Sequence, residues 1–182
     1  MTLAQKGFYY DQTSCIGCKA CQVACKDKNN LKVGARYRRV YDVESGKFPN
    51  PYRSHFSIGC NHCEHPKCVE NCPTGALQKR KEDGIVTHDR DKCIGCRLCV
   101  WSCPYEAPQF KEDEGKVGKC DGCSDLVAKG ENPACVDACV MRCLHFGDIE
   151  EFRQKYGKNA DAPGLPSSGT TTPNIVITVK KR

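Results

Sequence analysis

Apolar residues in this protein fall in short stretches between long polar ones, and those stretches predict small strands and helical turns rather than long helices. Residues 7–11, Gly-Phe-Tyr-Tyr-Asp, predict a strand. Residues 38–43 and 52–58 predict two more, parted by a Gly-Lys-Phe-Pro-Asn-Pro turn at 46–51. Residues 76–80 and 85–88 predict the arms of a hairpin around the polar turn 81–84. Short helical segments are expected over 66–71 and 96–102, and another should carry Cys25 and end where the polar residues 26–32 begin. Residues 125–130 predict a helical turn closed by glycine. Residues 144–147 predict a strand, and Asp148-Ile149-Glu150-Glu151 is the capping-box start of a helix that Gly157 stops. Residues 158–173, rich in Ala, Pro, Gly, Ser and Thr, read as a linker or extended arm. The last apolar stretch, 174–179, is a strand too apolar to stand in water, expected to pack on this protein or on a partner.

Composition changes the picture through one residue type. The 182 residues include 17 cysteines, which count toward the 39% hydrophobic content and leave few of the side chains that ordinarily fill a core. A disulfide-stapled secreted scaffold is the bland account of so many cysteines, but such domains are usually shorter and carry an even count. The residues after Met1, Thr-Leu-Ala-Gln-Lys-Gly, form no apolar leader, so folding in the cytoplasm is expected. No apolar run approaches the roughly 20 residues needed to cross a bilayer.

The cysteines are not scattered. Cys93, Cys96, Cys99 and Cys103-Pro104 form C-x2-C-x2-C-x3-C-P, the run by which bacterial ferredoxins hold 4Fe-4S clusters. Cys60, Cys63, Cys68 and Cys72-Pro73 form C-x2-C-x4-C-x3-C-P. Cys15, Cys18, Cys21 and Cys25 repeat the shorter spacing without the proline, and Cys120, Cys123, Cys135 and Cys139 form C-x2-C-x11-C-x3-C. Four quartets absorb 16 of the 17 cysteines and leave Cys143, expected to be a buried thiol acting as a small hydrophobe. Zinc is the structural rival, since paired C-x2-C motifs also build all-thiolate zinc sites. The third cysteine close behind three of the pairs, and the two Cys-Pro endings, favour clusters.

In two-cluster ferredoxins the fourth cysteine of one run ligates the other run's cluster. By that rule Cys60, Cys63 and Cys68 take Cys103, and Cys93, Cys96 and Cys99 take Cys72. The outer runs pair likewise, Cys15, Cys18 and Cys21 with Cys139, and Cys120, Cys123 and Cys135 with Cys25. The expected fold is α+β, two nested bacterial-type two-cluster ferredoxin units: an outer one from 1–59 and 105–157, an inner one at 60–104, and an arm at 158–182.

Net charge, +6, invites a nucleic-acid partner. Four oxidised 4Fe-4S centres at about −2 each contribute about −8 and remove that reason, so no nucleic acid is expected. The five histidines, His55, His62, His65, His88 and His145, are not spaced as a ligand set; His62 and His65 read as loop residues beside a cluster, and Trp101 as packing around one. No Ser-His-Asp set, phosphate-binding glycine loop or carboxylate pair is present, so substrate chemistry is not expected.

Cys-Asn-His-Cys-Glu-His-Pro-Lys-Cys at 60–68, Asp-Lys-Cys-Ile-Gly-Cys-Arg at 91–97 and Cys-Pro-Tyr-Glu-Ala-Pro-Gln at 103–109 resemble the iron-sulfur subunits of molybdopterin oxidoreductases, of the dimethyl sulfoxide reductase type. Lys-Cys-Asp-Gly-Cys at 119–123 and Pro-Asn-Ile-Val-Ile at 173–177 extend the likeness over nearly the whole sequence. The resemblance implies a non-catalytic electron relay with four 4Fe-4S clusters, set between a molybdenum or tungsten bis-pterin subunit and a quinol-oxidising membrane anchor. The Cys15 cluster would lie toward the catalytic subunit and the Cys93 cluster toward the membrane. Such a relay is membrane-associated through its partners, on either face by co-export. Nitrate reductase relatives have Trp where this sequence has Cys96, so a 4Fe-4S centre is implied there instead of 3Fe-4S. Val140 and Cys143 depart from the Pro and Ala usual in the dimethyl sulfoxide reductase type. A free polyferredoxin carrier is the alternative, and the apolar arm weighs against it.

Overall fold

The computed structural model describes residues 5–181. The expectation of no apolar leader falls partly on residues 1–4, which lie outside the described residues. The elements in order are β1 (Lys6–Asp11), α1 (Ala20–Lys28), β2 (Arg39–Lys47), β3 (Asn50–Ile58), α2 (Lys67–Glu70), β4 (Leu77–Lys79) and β5 (Val86–His88). There follow α3 (Leu98–Ser102), β6 (Gln109–Lys111), β7 (Lys116–Gly118), α4 (Ser124–Val127), α5 (Ala134–Asp137), β8 (Leu144–Asp148), α6 (Ile149–Tyr156) and β9 (Ile175–Thr178). The fold is α+β, as the short alternating stretches predict.

β1 is the middle strand of the largest sheet, antiparallel to β8 with Phe8 opposite Phe146, and parallel to β9 with Tyr10 opposite Ile177. Its alternation sends Phe8 and Tyr10 to one face, where they join Ile175, Ile177, Leu144 and several of the cysteines in the main core. Tyr9 and Val176 face the other way, under α6, against Ile149 and Phe152. Tyr9 stacks on Tyr156 with ring centroids 3.7 Å apart. Asp148 caps α6 by accepting the N–H groups of Glu150 and Glu151. Gly7 is required where β1 meets the C-terminal arm, since a Cβ there would lie 2.4 Å from the Asn174 carbonyl oxygen.

The remaining strands form two-stranded hairpins. β2 and β3 are longer than predicted: the ladder continues to Lys47 opposite Asn50, so the 46–51 turn shrinks to Phe48 and Pro49. Pro51 is tolerated because both strands are edges. α1 continues to Lys28, past the expected end. The β6–β7 hairpin has no counterpart in the sequence expectations, since its strands are three residues each and carry lysines. It nevertheless completes a second core, placing Val117 with Leu77, Val86, Cys68 and Cys99.

Residues 158–174 are an extended arm stitched to the body rather than a loose linker. Asn159 pairs with Ile177 through its carbonyl at 2.7 Å and its side-chain amide at 3.0 Å. The carbonyls of Thr171 and Thr172 accept the N–H groups of His65 and Glu64 at 3.0 and 2.8 Å. The apolar terminal strand thus packs on its own protein, with Ile175, Val176 and Ile177 at most 3% exposed. A strand already covered in this way gives no reason to invoke a partner subunit, and the arm does not weigh against a free carrier. Among the described residues no helix is long and apolar enough to cross a membrane.

Candidate metal centres

Each C-x2-C loop turns through a left-handed residue at its third position: Gly17 at φ 69°, His62 at 45°, Gly95 at 71° and Gly122 at 71°. The turn lets the backbone fold back on the first sulfur, and the Gly122 N–H donates to Cys120 Sγ at 3.4 Å. Glycine adopts this geometry without steric cost. His62 does not, and is pinned there: its fully buried ring accepts the Val86 N–H at Nδ1, 3.1 Å, and its carbonyl accepts Asn174 Nδ2 at 2.8 Å. Burial, reinforced by Lys119 and Arg38, holds its pKa well below the ordinary histidine value, so the ring stays a neutral acceptor.

The helices behind these loops pack in pairs, α1 against α5 and α2 against α3. This pairing brings the fourth cysteine of each run toward the opposite loop. Cys15, Cys18, Cys21 and Cys139 line one small cavity, site A, together with Tyr10, Ser57 and Cys143. Cys60, Cys63, Cys68 and Cys103 line another, site C. Cys72, Cys93, Cys96 and Cys99 line a third, site D. Cys25, Cys120, Cys123 and Cys135 form site B, all buried and close enough to raise one another's thiol pKa. The structure thus gathers the sixteen cysteines into four groups of four, each completed by one cysteine in or just past the paired helix.

The sites touch in sequence. The Cys21 thiol of A feels Cys135 of B, and the Cys120 thiol of B feels Cys60 of C. Cys68 of C and Cys99 of D share the second core. The ends of this series reach the surface: Cys18 of A and Cys96 of D are exposed, whereas every cysteine of B is buried. Both ends have exposed apolar side chains close in sequence to their cysteines. Around A these are Ile16, Val23, Val140 and Met141, at 43–69% exposure, and around D they are Ile94, Leu98 and Trp101, at 49–85%. Trp101 therefore does not pack around a cluster; it projects from the short helix α3 into solvent.

The chemistry of the donors suits a polynuclear iron centre. In three of the four groups the cysteines line one common cavity. Burial pushes the Cys63, Cys68 and Cys123 thiols up to about 12 and Cys99 to about 11, with neighbouring cysteines adding to the rise. Such thiols ionise only against a cationic core. Site C also offers donors to sulfur: Asn61 Nδ2 is buried without a partner, and the buried Tyr105 and Thr171 hydroxyls lie beside Cys63.

The histidines hold structure. His55 Nδ1 pairs with Asp42 at 2.7 Å and backs Gly17, His145 stacks on Tyr9, the His65 N–H bonds the arm, and His88 lines D half-buried. Cys143 is buried as expected, yet its Sγ lies 3.5 Å from Cys139 Sγ, and its thiol is the first cause that draws Cys15 down to about 5. Sequence reasoning missed Arg38 and Lys119, both buried among the cysteines. Arg38 carries no sequence signal, and the one for Lys119 is its place directly before Cys120.

Residues 52–149 match the family model described as 4Fe-4S dicluster domain, and residues 12–34 match a 4Fe-4S binding domain. The sequence is 47% identical over 181 residues to an anaerobic dimethyl sulfoxide reductase chain of Escherichia coli (strain K12), covering 95% of this protein and 88% of the relative. It is 43% identical to the protein of the same name from Haemophilus influenzae, with 98% and 91% covered. A sulfite dehydrogenase subunit of Allochromatium vinosum is 36% identical, with 82% and 71% covered.

Proposed function

This protein belongs to the 4Fe-4S dicluster family, and we propose that it serves there as a wire, an electron-transfer subunit relaying single electrons through four 4Fe-4S clusters held at sites A to D by their sixteen cysteines. The observation that carries this reading is the unbroken series of sites, buried in the middle and opening at both ends beneath exposed apolar residues. A carrier that loads and unloads at one place has no need of two such faces. Exposed apolar groups of this size mark contact surfaces.

When bound, the clusters supply one-electron redox chemistry at thiolate-held iron. The protein's own contribution is spacing, exclusion of water from B, and hydrogen bonds to the cysteine sulfurs, such as Ala107 N–H to Cys103 Sγ at 3.4 Å. On the pattern of its relatives, site A faces a molybdenum or tungsten pterin subunit and site D a quinol-oxidising membrane subunit. The protein folds around its clusters in the cytoplasm and joins the membrane through those partners, on whichever face the complex occupies. In this reading the protein divides into an outer unit (1–59 and 105–157), an inner unit (60–104) and an arm (158–182), and the pairing of α1 with α5 and of α2 with α3 supports it.

Two measurements test this. Iron and sulfide analysis of the anaerobically purified complex is expected to give four 4Fe-4S clusters per copy of this protein; stoichiometric zinc in a colourless sample, or recovery of the loaded protein with no pterin subunit, contradicts it. Cys96→Ser is expected to convert or lose one centre and to slow quinol-linked turnover more than turnover with an artificial donor. Equal loss in both assays removes site D from the membrane end.

A further inference from the structure

Arg38 and Lys119 are 3% and 5% exposed, and neither takes part in any ion pair among the described residues. A buried charge without a partner is costly enough that proteins pair it or neutralise it. Arginine cannot lose its proton at any working pH. Something anionic must therefore stand beside Arg38, and the side chains around it identify what. Its guanidinium donates from Nη1 to Ser57 Oγ at 3.2 Å and to the Ser57 carbonyl at 3.3 Å. Ser57 Oγ lies 3.3 Å from Cys21 Sγ of site A. On the site B side Cys135, Cys120 and Cys25 are close enough to act on its charge. The Phe8 ring lies 4.5 Å from Cζ. The groups that raise the hold on this cation's proton are cysteines of A and B, and Ser57 bridges it to one of them.

We propose that Arg38 is the shared counter-charge of the two outer sites, raising the reduction potentials of both clusters and offsetting the repulsion between neighbouring centres when both are reduced. The proposal rests on the assignment of clusters to sites A and B. Adding an electron to a thiolate-held cluster adds negative charge, and a fixed cation stabilises the reduced form more than the oxidised one. A unit charge roughly 10 Å from a redox centre, through an effective dielectric of about 20, changes a one-electron equilibrium by about tenfold. Ser57 transmits part of this as a hydrogen bond, which separates a charge effect from a hydrogen-bond effect. Lys119, donating to the carbonyls of Val86 and Cys120 and acting on Cys68, stands between B and C as Arg38 stands between A and B. The interior of the series is lined with positive charge where no carboxylate pairs with it.

The test is a redox titration followed by electron paramagnetic resonance on the anaerobically purified complex, comparing wild type with Arg38→Gln and Arg38→Lys. Cys18→Ser and Cys96→Ser assign the centres of A and D by their loss or conversion. In Arg38→Gln the centres of A and B are expected to shift down by about tenfold in equilibrium constant, about 59 mV for one electron, while D does not move. Arg38→Lys, which keeps the charge, is expected to stay within about threefold of wild type. If Arg38→Gln fails to load iron in the outer sites while Arg38→Lys loads fully, the charge requirement stands. Unchanged potentials at A and B in Arg38→Gln, an equal shift at all centres, or identical failure of both variants overturns the proposal. A wild-type complex with no clusters at A and B refutes the site assignment itself, a result distinct from unshifted potentials.

Discussion

Ile177→Ala tests whether the C-terminal strand is part of this protein's own core. Ile177 is 2% exposed and lies opposite Tyr10 in β1, in the same packed group as Leu144 and Cys139 of site A. Truncating a fully buried isoleucine to alanine removes its transfer free energy and leaves a partly collapsed cavity, about 2–4 kcal/mol in all. For a protein of this length each kcal/mol lowers the melting temperature by about 2–4 °C, so the expected drop is roughly 5–15 °C. The assay is anaerobic thermal unfolding of the isolated full-length protein, followed by far-ultraviolet circular dichroism and by visible cluster absorbance. Cluster loss makes the transition irreversible, so variants are compared at one fixed scan rate. Val23→Ala, at a position 64% exposed beside site A, is the control and is expected to melt within about 1 °C of wild type. If Ile177→Ala melts with the control, the strand does not contribute to the isolated fold, and the reasoning from burial and register is wrong.

Two further outcomes follow from the thiols. Cys63, Cys68, Cys99 and Cys123 are held up at about 11–12 before iron enters, so protons must leave as it binds; reconstitution with iron and sulfide is expected to fall as pH is lowered from about 8.5 to 6. Loading that improves at the acid end contradicts the requirement for thiol ionisation. Cys143→Ala is expected to keep the full iron and sulfide content, because sites A to D are complete without it, at a packing cost of about 1 kcal/mol; loss of a cluster's iron would make Cys143 a ligand.

Where expectation and structure part, local chemistry is ambiguous and tertiary contact decides. Trp101 sits between two site cysteines in sequence, yet the helix α3 is a single turn and throws it outward, because Cys99 and Val100 are the residues that meet the second core. The arm is rich in Pro, Gly and Ser, which predicts looseness, but Asn159, Thr171, Thr172 and Asn174 each find a fixed backbone partner on the body. Those pairings span about a hundred residues of sequence in the case of His62 and Asn174, and no local pattern signals them.

By itself the sequence determined the four cysteine runs and the α+β class, because cysteine spacing within a run and the alternation of short apolar stretches are local properties of a few adjacent residues. Tertiary structure alone decided the rest: that site B is fully buried while A and D open to solvent, that β9 completes the sheet on β1, that Val86 and Asn174 hold His62 in its left-handed turn, and that Arg38 is buried without a carboxylate partner. Burial and charge pairing depend on which distant segments meet, and those meetings are set by the packing of the whole polypeptide around its cysteines.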